Sequence, residues 1–197
     1  MTIRDENRIV VENISLRFTL LTNECKLDLI NSAKIFTVGK ATMVVKEGQN
    51  ADKLYFIISG CVRVFYQKDE KDITDWLAFE NDFVSSINSF FLDIPSPHFI
   101  QTLEKTSYME ISRENAFWLM EKHHCFETLG RKAITQIMLQ LQNRIVSLQF
   151  ETAQQKYDNL LKIRPDITQR VPLKNIASYL GISLETLSRI RNPKNRI

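Results

Sequence analysis

The residues best suited to chemistry lie near the C-terminal end, in the run LKNIASYLGISLETLSRIR from Leu173 to Arg191. Ile176, Ala177 and Leu180 recur at helical spacing and share one apolar face of a first helix. Gly181 supplies the left-handed backbone that a three- or four-residue turn requires. Ser183 then caps a second helix; its partner three residues on is Thr186 rather than Glu, so a simple cap is expected and not a capping box. In that second helix Leu187 and Ile190 turn back toward the first, leaving Glu185, Ser188, Arg189 and Asn192 on the outward side. Such a face suits the major groove of DNA, where a guanidinium donates two hydrogen bonds to guanine O6 and N7 and a carboxylate accepts one from cytosine N4. Arg189 and Glu185 are the expected base readers, with Ser188 beside them, whereas Ser183, Thr186, Arg191, Lys194 and Arg196 are expected to meet phosphates and set register.

A plain helical hairpin is the alternative, and the distribution of charge weighs against it. Residues 151–197 hold nine Lys or Arg against four acids, an excess of +5, whereas residues 1–150 hold 17 against 19, or −2. The overall +3 conceals a basic C-terminal segment that phosphates attract and a larger, slightly acidic part that they repel.

Other chemistries find less to stand on. Cys25, Cys61 and Cys125 are far apart in sequence and form no C-x-x-C pair, which argues against zinc, iron–sulfur clusters or a disulfide framework; buried free thiols are expected. His98, His123 and His124 have no carboxylate or thiol at a ligand-like spacing. No nucleophile–base pair or phosphate loop appears, so neither an enzyme, a metal nor a cofactor is expected. The N-terminus has no secretory pattern and no apolar run is long enough to span a bilayer, which makes a cytoplasmic protein with no membrane partner the expectation.

The elements that must position this site read in three parts: 1–120, 121–152 and 153–197. Residues 3–36 read as helical, uninterrupted by glycine until Gly39. From Phe36 to about Met109 the texture turns to short β-rich runs, at 43–45, 54–58, 62–66 and 75–79, with Gly48 and Gly60 at junctions and a polar hairpin tip at 69–72. Phe83 to Leu92 interrupts them with a short helix, and runs at 99–103 and 108–111 close the sheet. The class is α+β: an antiparallel β-roll, a long helix and a helical C-terminal part. A helix opens at Ser112, and then Ile134, Met138, Leu141, Ile145, Leu148 and Thr152 step by 4, 3, 4, 3 and 4 residues. That spacing makes one apolar seam, which either packs on its own β-rich part or pairs with a second chain.

In this order of parts the chain resembles the Crp/Fnr (catabolite activator) family of bacterial regulators over nearly its full length. Lys46 to Val64, KEGQNADKLYFIISGCVRV, is similar to the family's β-roll signature; the seam resembles its dimerisation helix, and Ile182 to Arg189 its recognition helix. The resemblance implies a jelly-roll domain of cyclic-nucleotide-binding type and a winged-helix-like helix-turn-helix domain. It also implies a homodimer on a palindromic operator in double-stranded DNA, with RNA polymerase and a small-molecule effector as further partners. Members that bind cyclic nucleotides use a Gly-Glu pair and an Arg-Ser pair; the matching stretches here read Phe83-Val84-Ser85-Ser86 and Pro95-Ser96-Pro97-His98. Without the arginine a buried cyclic phosphate loses its main partner, so cyclic AMP is not the expected effector. Phe83, Val84, Ser85, Ser86 and His98 remain the candidate effector pocket, either holding some other anion or simply forming core. Leu184 stands where some members place a base-contacting arginine, and no hairpin wing follows Asn192-Pro193. A sensor that acts mainly through protein contacts is the second functional expectation.

Overall fold

The computed structural model describes residues 3–192. Lys194 and Arg196 lie outside the described residues. Helix α1 (Ile3–Phe18) buries Val10, Val11 and Ile14, and α2 (Asn23–Ser32) buries Cys25 and Leu29. Thr22 starts α2 by accepting the Cys25 N–H at 3.2 Å. The helical reading to residue 36 runs four residues too far. At Ala33 the chain becomes strand β1 (Ala33–Val38), because Ile-Phe-Thr-Val pairs in unbroken register with a later strand.

Seven further strands complete the roll: β2 (Met43–Val45), β3 (Lys53–Ser59), β4 (Val62–Lys68), β5 (Lys71–Ala78), β6 (Phe83–Val84), β7 (Phe99–Thr102) and β8 (Thr106–Ser112). They form two antiparallel sheets of order β1-β8-β3-β6 and β2-β7-β4-β5. The two sheets enclose Val45, Tyr55, Ile57, Val62, Val64, Ile100 and Tyr108. The β4–β5 hairpin turns on two residues, Asp69 and Glu70, both left-handed at φ 49° and 61°, so β5 begins at Lys71, earlier than its composition suggests. Gly60 joins β3 to β4 at φ +97°, where an added Cβ would lie 2.5 Å from Thr106 Oγ1 and 2.7 Å from the Lys105 carbonyl oxygen. Only glycine fits there.

Helix α3 (Ile87–Leu92) follows β6 and stops at Asp93 in a left-handed cap. After β8, Ser112 caps α4 (Arg113–Lys122), and His123 begins α5 (His124–Phe150). Helices α1, α2, α4 and the start of α5 cover the outer face of the first sheet, burying Phe56, Met109, Ile111, Leu119, Phe126 and Leu129 together. Helix α5 ends at Phe150, and Thr152, expected as the last step of the seam, instead caps α6 (Ala153–Ile163). Its hydroxyl accepts from the Gln155 N–H while Gln155 accepts from the Thr152 N–H, a capping box. A single helical turn, α7 (Ile167–Arg170), follows, and α8 (Leu173–Leu180) and α9 (Leu184–Arg191) complete the described chain. The chain is therefore α+β: a β-roll, a long helix and a helix-turn-helix part. Among the described residues no helix is long and apolar enough to cross a membrane.

Candidate functional site

The pair α8–α9 is built as its residue types dictate. Ile176 (0% exposed) and Ala177 (2%) face inward from α8, and Leu187 (0%) pins α9 against them. Gly181 closes α8 at φ +66°, donating to the Ala177 and Ser178 carbonyls. Ser183 caps α9, its hydroxyl accepting the Thr186 N–H at 3.1 Å, with no capping box. Glu185, Ser188 and Arg189 are exposed on one face of α9, Arg191 is exposed beside them, and Thr186 is half-buried. The Glu185 carboxyl is held below its ordinary value, first by its own backbone N–H at the helix start and then by Ser183 and Arg189, so it is an anion at neutral pH.

This unit is docked on the β-roll of its own chain. Ile167, Val171, Ile176 and Leu180 pack with Cys61, Leu77, Phe79 and Leu103 of the roll. Each fully buried Leu or Ile contributes about 1.5–3 kcal/mol, more than the roughly 0.5–1.5 kcal/mol net of a single hydrogen bond; apolar packing supplies the adhesion and the polar groups set its register. Arg63, 5% exposed inside β4, donates to Asn175 of α8 (3.2 Å), Asp72 (2.8 Å) and Gln101 (2.9 Å), and its guanidinium lies 3.8 Å over the Phe65 ring. Ser178 Oγ accepts the Thr74 N–H at 2.8 Å. Arg170 bridges Glu80 and Glu104, both at 2.6 Å, and Asp166 at 3.1 Å. These pins escape a reading of the sequence; the one visible signal is an arginine placed among alternating apolar residues of a strand, VRVF.

Along α5, Ile134, Met138, Leu141, Ile145 and Leu148 form one stripe, each 40–57% exposed. Leu139, Val146 and Phe150 are exposed as well, on another side of the helix. Packing within the chain leaves this stripe largely exposed.

The effector residues are only partly brought together. Ser86 Oγ donates to Ser96 Oγ at 2.8 Å, and Ser96 Oγ donates in turn to the His98 carbonyl. Ser85 Oγ donates to the Lys53 carbonyl at 2.9 Å. Val84 lies in the core between the sheets, whereas Phe83 packs against Phe18 and Phe56 on the other cluster. His98 is 6% exposed, with neither ring nitrogen hydrogen-bonded and the Tyr66 ring edge-on at 5.2 Å. Burial pushes its pKa down, which disfavours the imidazolium an anion would want. A larger cavity, about 470 Å³, opens where the roll, α5 and the C-terminal part meet. Trp76, Phe79, Arg144, Leu148, Arg164 and Tyr179 are among its walls, and the five candidate effector residues are not. Arg144 spans this junction, donating to the Tyr179 carbonyl at 2.6 Å with its guanidinium 4.1 Å from that ring's centroid.

The cysteines and histidines are arranged differently from their spacing. Cys25 at the start of α2 and Cys125 at the start of α5 both neighbour Thr22, whose hydroxyl accepts the Cys25 N–H and lies 4.0 Å from Cys125 Sγ, while Cys61 is buried under the C-terminal part. Beside them, Asp28 accepts from both Lys122 and His123 at 2.7 Å, and Lys122 also reaches Glu24 at 3.2 Å. The Lys122 ammonium meets the charge of both carboxylates.

Residues 36–123 match the model of the cyclic nucleotide-binding domain. No curated protein matches the chain. Solved structures of similar fold include the c-di-GMP-responsive global regulator CLP of Xanthomonas campestris, 16% identical with a TM-score of 0.67 over 88% of this chain and 91% of that one. A CooA variant from Carboxydothermus hydrogenoformans is 19% identical, with a TM-score of 0.65 over 83% and 76%. The catabolite activator protein of Thermus thermophilus is 16% identical, with a TM-score of 0.55 over 89% and 84%.

Proposed function

We propose that the chain is a sequence-specific DNA-binding transcriptional regulator of the Crp/Fnr type, acting as a homodimer on a palindromic operator. The observation that supports this best is α9: Leu187 is wholly buried while Glu185, Ser188, Arg189 and Arg191 stand exposed on a capped helix. Arg189 and Glu185 read bases; Ser183, Thr186, Arg191 and Lys194 hold phosphates. The second chain pairs along Ile134, Met138, Leu141, Ile145 and Leu148, which gives the two recognition helices a two-fold relation. The similar folds of CLP, CooA and the catabolite activator protein favour this reading. RNA polymerase is the partner such a regulator would engage.

Selection of bound sequences from a random DNA pool tests the proposal. A palindromic consensus supports it; recovery of unselected DNA in proportion to salt alone overturns base reading. Cyclic AMP is not the effector in this proposal, because residues 83–86 and 95–98 contain neither a carboxylate for the ribose nor an arginine for the phosphate. Calorimetric titration with cyclic AMP should give no binding heat, and saturable binding would overturn that exclusion.

A further inference from the structure

We infer that the cavity between the roll, α5 and the C-terminal part is a binding site for a small aryl anion, a flat apolar ring system that carries a carboxylate or a phosphate. Its volume of about 470 Å³ falls within the roughly 300–1,000 Å³ typical of small-molecule sites. Three parts of the chain build its walls: Trp76 and Phe79 at the end of the β4–β5 hairpin, Arg144 on α5, and Lys156, Arg164 and Tyr179 in the C-terminal part. The stretches 83–86 and 95–98 of the roll contribute nothing to it.

Charge selects the sign of the occupant. Four cations, Arg144, Lys156, Lys162 and Arg164, line the cavity with two carboxylates, Asp82 and Glu151. Among the described residues only Arg164 of the four has an ion-pair partner, Asp82 at 3.7 Å. Arg144 donates instead to the Tyr179 carbonyl at 2.6 Å, Lys156 to the Leu148 carbonyl at 3.2 Å and Lys162 to the Asn159 amide oxygen at 3.2 Å. Those acceptors are neutral and leave the positive charge uncancelled. Glu151 accepts from Ser147 and Asn159 rather than from a cation. Apolar walls concentrate the field that remains, because less water screens it there.

The walls select the shape. Trp76, Phe79 and Tyr179 bring three aromatic rings to one cavity. The Arg144 guanidinium lies 4.1 Å from the Tyr179 ring centroid and that of Arg164 lies 4.4 Å from the Phe79 centroid. Each guanidinium is thus held beside an apolar ring, so a ligand that meets both joins an aromatic body to an anionic head. An inorganic anion would leave the rings uncovered, and a neutral arene would leave the cations unpaired. Such an occupant ties the roll to the C-terminal part, and it requires nothing of α9, so its binding is measured without DNA.

The chain has two tryptophans, Trp76 in the wall and Trp118 on α4, which does not line the cavity. Their indole N–H resonances in isotope-labelled full-length protein, assigned with Trp118→Phe, therefore locate a bound probe. The probes are naphthoate and naphthyl phosphate as anions, naphthamide as the neutral counterpart, and inorganic phosphate as the head group alone. At least one naphthyl anion should shift Trp76 saturably and leave Trp118 in place, and the tighter of the two names the head group. Naphthamide and inorganic phosphate should bind at least about tenfold more weakly. Arg144→Gln should weaken anion binding by about tenfold. Because that change also touches the junction, Lys156→Ala combined with Lys162→Ala on α6 serves as a second variant, which should weaken the anions and leave naphthamide unaffected. A bound anion should also raise the melting temperature, as any ligand of the folded state does. Absence of a saturable Trp76 shift, naphthamide binding as tightly as the anions, an equal shift at Trp118, or unchanged anion affinity in both variants would overturn the proposal.

Discussion

Arg189 and Arg170 show how differently two arginines in one C-terminal part are used. Arg189 is exposed on α9; Arg189→Ala should cost about 1–3 kcal/mol on the selected site and relax one base position, measured by binding to the site and to its single-base variants. Lys194→Ala should weaken all sequences alike and flatten the salt dependence. Equal losses on specific and random DNA for Arg189→Ala would leave no base reading to that residue. Arg170 instead holds Glu80 and Glu104 together. Arg170→Met leaves two carboxylates facing each other and should destabilise the docked state by roughly 2 kcal/mol after solvent screening, read from the urea midpoint. Burial pushes the Glu80 carboxyl up, but bonds from Arg170, its own backbone and the Gly60 N–H hold it below the ordinary value. Its contribution is therefore full above the ordinary glutamate range and lost as pH falls through the lower folded value. His98 acts in the same direction for a different reason. Its folded value is depressed by burial, so below about pH 6.5 the unfolded chain takes up a proton that the folded one refuses, and stability declines with acidification. His98→Leu should flatten the urea midpoint between pH 7 and 5.

Element boundaries are legible in the sequence where a local cap signal has no competitor. Ser112 and Ser183 are caps that sequence alone marks, and the structure places both where expected. The Thr152–Gln155 capping box was equally visible as a T-x-x-Q pattern, yet the 4-3-4-3-4 apolar rhythm absorbed Thr152 into the preceding helix. Thr152→Ala should cost about 1 kcal/mol and lower the thermal midpoint without changing oligomeric state. Helix α5 supplies the sharper test. Met138 is 57% exposed in the middle of the stripe, so Met138→Glu should split the proposed dimer while leaving circular dichroism unchanged, with mass followed by light scattering. A dimer that survives the charge would place the interface elsewhere. The β1 boundary was not legible because no glycine, proline or cap marks Ala33; only pairing with β8 turns that segment into a strand.

On the scale of the whole molecule, the C-terminal part is joined to the roll by a shared apolar cluster and by the pins at Arg63, Arg170 and Ser178. Gln substituted for Glu80 should weaken this junction less than Arg170→Met does, because an amide still accepts from guanidinium while the isolated carboxylate pair is never created; the difference is measurable as two urea midpoints. Sequence by itself determined the features set by periodicity and local conformational need: the β-roll with Gly48 and Gly60 at its turns, the capped helix pair with outward Glu185 and Arg189, and the absence of phosphate-binding residues at 83–86 and 95–98. These are properties of neighbours in the chain, and period-2 or period-3.6 patterns report them directly. Tertiary structure decided the features that depend on residues far apart in sequence. It brought Thr22 to Cys125, turned Arg63 toward Asn175, left His98 without a hydrogen-bond partner for its ring, and opened a cavity between the roll, α5 and the helix-turn-helix part. No local pattern encodes these, because each depends on chain segments that only the packed core brings into contact.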